Sequence, residues 1–148
     1  YPPVGRRGLA AVRANEYGMT GAMGEYVSAA NEATVVVAQI ETLEGIDHAD
    51  VIINTPGVDV VFLGPTDLSV ALGIPGQGKH QKVLDVITEL TAKIVAAGKI
   101  SGTIARAPED YGFWRDRGVS FFLTGANALL GAAATAYVQG TRTIEEGR

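Results

Sequence analysis

The sequence contains no cysteine. That excludes a disulfide framework and any thiolate metal site, and leaves oxygen or imidazole to bind a metal. Histidine is almost as scarce: His48 and His80 stand apart in the chain without ligand spacing, so both are expected at the surface. No apolar run approaches the ~18 residues of a membrane span, and the start does not resemble a signal peptide. There is no basic stripe either. Twelve Lys and Arg against sixteen Asp and Glu give a net charge of -4, with both signs scattered along the chain. Neither nucleic acid nor a membrane is therefore an expected partner. A soluble protein of a reducing cytoplasm fits these absences. An initiating methionine is also lacking: the sequence opens Tyr1-Pro2-Pro3, and the expectation is that it starts inside a longer parent.

What is present is an apolar fraction of 47% over 148 residues, enough for one globular core. Four short apolar runs are strand-sized: Thr34 to Ile40, Val58 to Leu63, Lys99 to Ala105 and Val119 to Leu123. Helical patterns follow them at Gly45 to Thr55, Gln81 to Ala97, Pro108 to Arg117 and Ala126 to Gln139. In the second of these, Val83, Val86, Ile87, Leu90, Ile94 and Val95 fall near one face, and Gly98 supplies the C-terminal stop. Pro108 suits the first turn of the third. The strand runs are nearly continuous in Val, Ile, Leu and Phe, as parallel strands covered on both faces require. Alternation with helices makes the class α/β, with right-handed crossovers. Ahead of the first strand, Arg13 to Asn31 looks helical but carries Gly18, Gly21 and Gly24, each costing about 1 kcal/mol relative to Ala in a helix interior. A loop is predicted at Tyr17 to Gly24, and a frayed tail at Gly140 to Arg148.

The chemistry is concentrated where strands end. Alternation along the first strand puts Val35, Val37, Gln39 and Glu41 on one side and Val36, Ala38 and Ile40 on the other. The first side turns polar only at the C-terminal end, where parallel α/β folds bind ligands. The second strand runs into Gly64-Pro65-Thr66-Asp67, which puts Asp67 just past the neighbouring strand end. Strands lie about 4.8 Å apart, so Glu41 and Asp67 can share one hard cation, Mg²⁺ or Mn²⁺, with water and substrate in the open positions. Taken singly, an acid starting a helix or capping a turn is as ordinary a reading. The turn adds a second feature: backbone N–H groups at Thr66 and Asp67 can bind a carboxylate, whereas Pro65 offers none.

These residues resemble a known family. The opening Tyr1-Pro2-Pro3-Val4-Gly5-Arg6-Arg7-Gly8, the strand end Gln39-Ile40-Glu41-Thr42, the run Gly57-Val58-Asp59 and the turn Gly64-Pro65-Thr66-Asp67-Leu68 look like the HpcH/HpaI class II aldolases. The likeness continues through Leu72-Gly73, Pro75-Gly76, Gly98-Lys99 and Gly102, and so covers nearly the whole chain. It implies a TIM (β/α)8 barrel of the phosphoenolpyruvate/pyruvate type, with residues 1–148 supplying about the last four β/α units. It also implies reversible cleavage of a 4-hydroxy-2-oxo acid to pyruvate and an aldehyde through a metal-stabilised enolate. Carried over residue by residue, Glu41 and Asp67 are the metal ligands, Thr66 and Asp67 the amides that bind the pyruvate carboxylate, and Gln39 an adjacent polar contact. Gly64 and Pro65 belong to the same substrate-binding turn. The cation is Mg²⁺ or Mn²⁺, with Co²⁺ as a substitute. The expected partners are a small 2-oxo acid, the N-terminal half of the barrel and further copies of the chain.

The family's catalytic Arg and His come from strands that precede the motif beginning at Tyr1, so no catalytic residue is assigned here. Asn127 stands where the family often has an acid, and the glycine-rich stretch from Gly18 to Gly24 is longer than the family pattern. Two other readings stay open: a related metal-dependent lyase, acting on acyl-CoA or as a 2-oxo acid decarboxylase, and a non-catalytic half-barrel module. Three further signals are weaker. Gly73-Ile74-Pro75-Gly76-Gln77-Gly78-Lys79 imitates a P-loop, but His80 replaces the required Ser or Thr and no strand leads into it. Lys99 begins a strand, at the end opposite the expected catalytic face, which disfavours an imine-forming role. Trp114, with Tyr111 and Phe113 on one predicted helix, reads as packing.

Overall fold

The computed structural model describes residues 1–147, and the chain divides into two compact units, Tyr1–Val35 and Val36–Arg148. The first contains a 3₁₀ segment, Arg13–Gly18, and helix α1, Met23–Ala33. The 3₁₀ segment is organised around Asn15, which is buried, accepts from the Val12 N–H at 2.8 Å and donates to the Ala10 carbonyl at 2.8 Å. Glu16 and Tyr17 follow in the left-handed region, at φ 51° and 58°. The predicted loop is therefore shorter than the glycines suggested. Helix α1 already begins at Met23, where the Ala22 carbonyl receives the first N–H bonds, so Gly24 sits in its first turn.

Thr34 closes α1 by donating both its N–H and its hydroxyl to the Ala30 carbonyl. That is why the first strand starts later than the apolar run. Val36 is next to be diverted, its N–H going to the Asp59 carboxylate at 2.8 Å, and the ladder begins at Val37.

The second unit runs β1 Val37–Ile40, α2 Leu43–Asp47, α3 Ala49–Asn54, β2 Val60–Leu63, α4 Pro65–Ala71, α5 Gln81–Ala96, β3 Ile100–Ile104, α6 Pro108–Arg115, β4 Phe121–Leu123 and α7 Ala126–Glu146. The four strands form one parallel sheet in the order β1-β2-β3-β4. Ala38 and Ile40 of β1, with Val61 and Leu63 of β2, pack toward the helices against Ile53, Leu68, Val83, Ile87, Leu90 and Trp114. Each fully buried Val, Leu or Ile among them contributes about 1.5–3 kcal/mol.

The opposite face carries a layer set by register: Gln39, Phe62, Gly102 and Phe121 lie side by side across all four strands. Phe62 and Phe121 meet edge to face over Gly102, with centroids 6.4 Å apart. A Cβ on Gly102 would sit 2.9 Å from Phe62 and 3.0 Å from Phe121, closer than carbon atoms pack, so only glycine fits.

The structure departs from the sequence reading at three further points. The helix predicted over Gly45 to Thr55 is two short helices, because Thr42 caps Gly45 and so starts the first one earlier, and His48 leaves helical geometry at φ -100°, ψ 15°. The short helical segment expected after the turn Gly64-Pro65-Thr66-Asp67 includes the turn itself: α4 begins at Pro65, directly after β2. The tail predicted to fray from Gly140 is helical to Glu146, where the hydroxyls of Thr141 and Thr143 bond back to the carbonyls of Val138 and Gln139. No described helix is long and apolar enough to cross a membrane.

Candidate active site

Polar side chains gather at the C-terminal ends of β1 and β2. Register pairs Ile40 with Leu63, so Glu41 and Gly64 leave adjacent strands side by side. The Glu41 carboxylate accepts a short hydrogen bond from the Gln39 amide on the same face. Both side chains lie against Gly64: a Cβ there would stand 3.0 Å from the Gln39 amide nitrogen and 3.2 Å from the Glu41 carboxylate oxygen. Gly64 is thus a space kept open for Glu41.

Gly64 also caps α4. Its own N–H goes to the Ile40 carbonyl, and its carbonyl receives the Leu68 N–H. Pro65 occupies the first helical position, where an N–H would have no acceptor. The amides of Thr66 and Asp67 remain as first-turn donors without an intrahelical acceptor. Asp67 is exposed in that turn, and Glu41 is half-buried.

Neither carboxylate forms an ion pair among the described residues. Glu41 and Asp67 are thus carboxylates at neighbouring strand ends, one braced by an amide and neither paired with a cationic side chain, and carboxylate oxygens are the donor type a hard divalent cation takes. No group of three or more His, Asp or Glu placed to hold a metal ion occurs among the described residues.

The structure adds residues that the sequence reading did not single out. Arg106, two positions past β3, donates from Nη2 to the Thr66 hydroxyl at 3.1 Å. Its backbone N–H goes to the Asp110 carboxylate at 3.1 Å, and the other oxygen of Asp110 takes Lys79 at 2.6 Å. Hydrogen bonding from Lys79 is the main cause that holds the Asp110 carboxyl below its ordinary value of 3.8. These side chains border a cleft of about 740 Å³ that runs from Pro65 and Thr66 to Phe113 and Trp114. The signal for Arg106 was available: it follows a strand end, as Glu41 and Asp67 do.

The other candidates sit where their chemistry is used up. Lys99 Nζ donates to the Val58 carbonyl at 2.6 Å, at the opposite end of the sheet. His48 and His80 are both exposed, and His80 accepts from the Lys82 N–H at the start of α5. Trp114 is buried in the core beside Phe113. Asn127 lies in the first turn of α7, its side-chain oxygen 2.6 Å from where a Cβ on Gly125 would be.

Comparison with known proteins gives the family and the fold. The family model for HpcH/HpaI aldolase/citrate lyase matches residues 1–132. A 2-keto-3-deoxy-L-rhamnonate aldolase of Escherichia coli is 35% identical over 132 residues, covering 88% of this chain and 48% of the relative. A 5-keto-4-deoxy-D-glucarate aldolase of Shigella boydii is 35% identical over 136 residues, covering 91% and 52%. A 4-hydroxy-2-oxovalerate aldolase of Novosphingobium aromaticivorans is 35% identical over 129 residues, covering 87% and 48%. The chain spans about half the length of these curated relatives.

Among solved structures, an HpcH/HpaI aldolase/citrate lyase family protein from Burkholderia cenocepacia superposes with a TM-score of 0.80 at 32% identity, over 95% of this chain and 54% of that one. An HpcH/HpaI aldolase from Desulfitobacterium hafniense gives 0.79 at 31%, over 99% and 56%. The parallel α/β sheet described above is about half of a (β/α)8 barrel of that kind. The chain belongs to the HpcH/HpaI aldolase/citrate lyase family.

Proposed function

We propose that this chain is the C-terminal half of a single barrel whose complete form cleaves a 4-hydroxy-2-oxo acid to pyruvate and an aldehyde, with Glu41 and Asp67 holding a divalent cation. The observation that carries the reading is the Glu41 carboxylate, braced by Gln39 against Gly64 and without an ion pair among the described residues, beside the turn that bears Asp67. The names of relatives at 35% identity support it. Mg²⁺ or Mn²⁺ suits the oxygen donors, and Co²⁺ is an acceptable substitute. When bound, such a cation supplies Lewis-acid stabilisation of negative charge on a keto oxygen.

Cleavage breaks the bond between C3 and C4 of the substrate. The C4 hydroxyl loses its proton and becomes the aldehyde carbonyl, the electron pair passes to C3 and the adjacent keto group, and C3 takes up a proton to give pyruvate. This chain's residues contribute binding and orientation. The Thr66 and Asp67 amides hold the substrate carboxylate, as unpaired N–H groups favour an anion. Gln39 fixes the rotamer of Glu41, Gly64 leaves room for it, and Pro65 sets the direction of the turn. The Arg and His that the family resemblance assigns to enolate stabilisation and proton transfer belong, on this reading, to strands that precede Tyr1. Sheet edges at β1 and β4 offer unpaired backbone groups to those strands or to another copy of the chain.

The test is to purify the chain alone and together with a separately expressed N-terminal half, in Mn²⁺, and to assay pyruvate release. Activity only on mixing is the expected result. Full activity of a monodisperse monomer of this chain would overturn the half-barrel reading, and no activity on mixing would overturn the aldolase reading.

A further inference from the structure

We propose that Ser69 is a positioning residue for the substrate-binding turn: its hydroxyl sets the plane of the peptide joining Thr66 to Asp67 and clamps the glycine-rich segment after α4 onto it. The inference rests on the aldolase reading above and goes beyond it by naming what holds the turn's donors in place. Ser69 lies in α4 and is fully buried. Its hydroxyl donates to the Thr66 carbonyl and accepts the Gly76 N–H at 3.0 Å. A helical serine that bonds back to a nearby carbonyl is common. The second bond is not local: it joins the helix to backbone seven residues further on.

The Thr66 carbonyl and the Asp67 N–H belong to one peptide unit. That unit is planar and trans, so its carbonyl and N–H point in opposite directions, and a bond that fixes the first aims the second. The Asp67 N–H is one of the two donors proposed to hold the 2-oxo carboxylate. Donation to the carbonyl also polarises the amide and strengthens its N–H as a donor. The segment after α4 is seated by the same residue, for Ser69 accepts the Ile74 N–H on its carbonyl at 2.8 Å as well as the Gly76 N–H on its hydroxyl. Gly73 and Gly76 turn the chain at φ 76° and 79°. Gly78 then returns onto Pro65, where a Cβ would stand 3.3 Å from the Pro65 carbonyl oxygen. The stretch that imitates a P-loop is thus a strap lying on the substrate turn, with Lys79 tied to Asp110 at 2.6 Å beyond it. Without the Ser69 hydroxyl, the Gly76 N–H loses its acceptor and the Thr66 carbonyl loses a donor, so the strap and the peptide beneath it both loosen.

The experiment uses a complete barrel containing this chain, with Mn²⁺, and follows exchange of the pyruvate methyl hydrogens for deuterium, which needs no aldehyde. Ser69→Ala removes both hydroxyl bonds, and Ser69→Cys keeps the site filled with a weaker donor and acceptor. Ser101→Ala is the control, because it breaks another buried hydroxyl pair, with Thr91 at 3.0 Å, between β3 and α5. In Ser69→Ala the KM for pyruvate should rise about 5- to 10-fold, the range of one hydrogen bond, with kcat and Mn²⁺ affinity within about twofold. Ser69→Cys should fall between alanine and the unmodified enzyme, and decides alone if Ser69→Ala does not fold. Ser101→Ala should lower the denaturation midpoint and leave KM unchanged. An unchanged KM in the folded Ser69 variants, an equal rise in Ser101→Ala, or a parallel loss of Mn²⁺ affinity would each overturn the proposal while leaving the aldolase reading intact. Absence of metal-dependent pyruvate exchange in the unmodified enzyme would overturn the aldolase reading itself, and this proposal with it.

Discussion

The two ends of the same sheet use their charged side chains in opposite ways. At the N-terminal end, Lys99 donates to the Val58 carbonyl at 2.6 Å and Asp59 accepts from the Val36 N–H at 2.8 Å, so each charge fastens a neighbouring strand's backbone. At the C-terminal end, Glu41, Asp67 and Arg106 form no ion pairs among the described residues, and the Glu41 carboxylate and the Arg106 guanidinium hydrogen-bond to neutral groups, the Gln39 amide and the Thr66 hydroxyl. A charge saturated by backbone serves stability, and one left without a counter-charge is poised for a ligand. The difference also separates what substitutions at either end should do.

The largest effect is expected from Gly64→Val at the upper end. A Cβ already stands 3.0 Å from Gln39 and 3.2 Å from Glu41, so the branched side chain must displace the carboxylate. Pyruvate release by the complete barrel should fall by about 100-fold, the loss typical of a misplaced ligand or reacting group. Unchanged kcat/KM in a folded variant would show that the space beside Gly64 is not used.

A smaller effect, of a different kind, is expected at the lower end. Lys99→Met removes a charged donor from a half-buried carbonyl and should cost about 1–2 kcal/mol in chemical denaturation, with Mn²⁺ affinity unchanged. Loss of metal binding in that variant would collapse the distinction between the two ends.

The smallest effect concerns Lys79 and Asp110, which flank the cleft. Asp110 titrates below its ordinary value because Lys79 bonds to it. A depressed carboxylate stabilises the fold above the ordinary value of 3.8, and this contribution fades as pH falls through the lower folded value. Lys79 is largely exposed, so the pair is worth no more than about 0.2–1 kcal/mol. Asp110→Asn should therefore lower the denaturation midpoint slightly at pH 7, with the difference vanishing in strong acid. A difference that persists there would assign the effect to packing.

Much of this was legible in the sequence because it depends on local pattern. Four Val- and Ile-rich runs alternating with helical periodicity specify a parallel sheet, and Glu41 and Asp67 stand out as acids where such runs end. Gly102 was harder to interpret. The need for glycine there comes from Phe62 and Phe121, which are remote in sequence and meet across it only through register. Arg106 stands visibly past a strand end, but its contact with Thr66 joins residues 40 positions apart and comes only with the fold. The helix running to Glu146 was missed because the polar stretch after Gly140 carries no apolar periodicity to mark it.

The most direct measurement is calorimetric titration of Mn²⁺ into the complete barrel and into its Glu41→Ala and Asp67→Ala variants. Removing either of two anionic ligands leaves a hard cation undercompensated, and affinity should fall by about 10-fold or more in each. Equal Mn²⁺ affinity in all three folded proteins would contradict the assignment of the site.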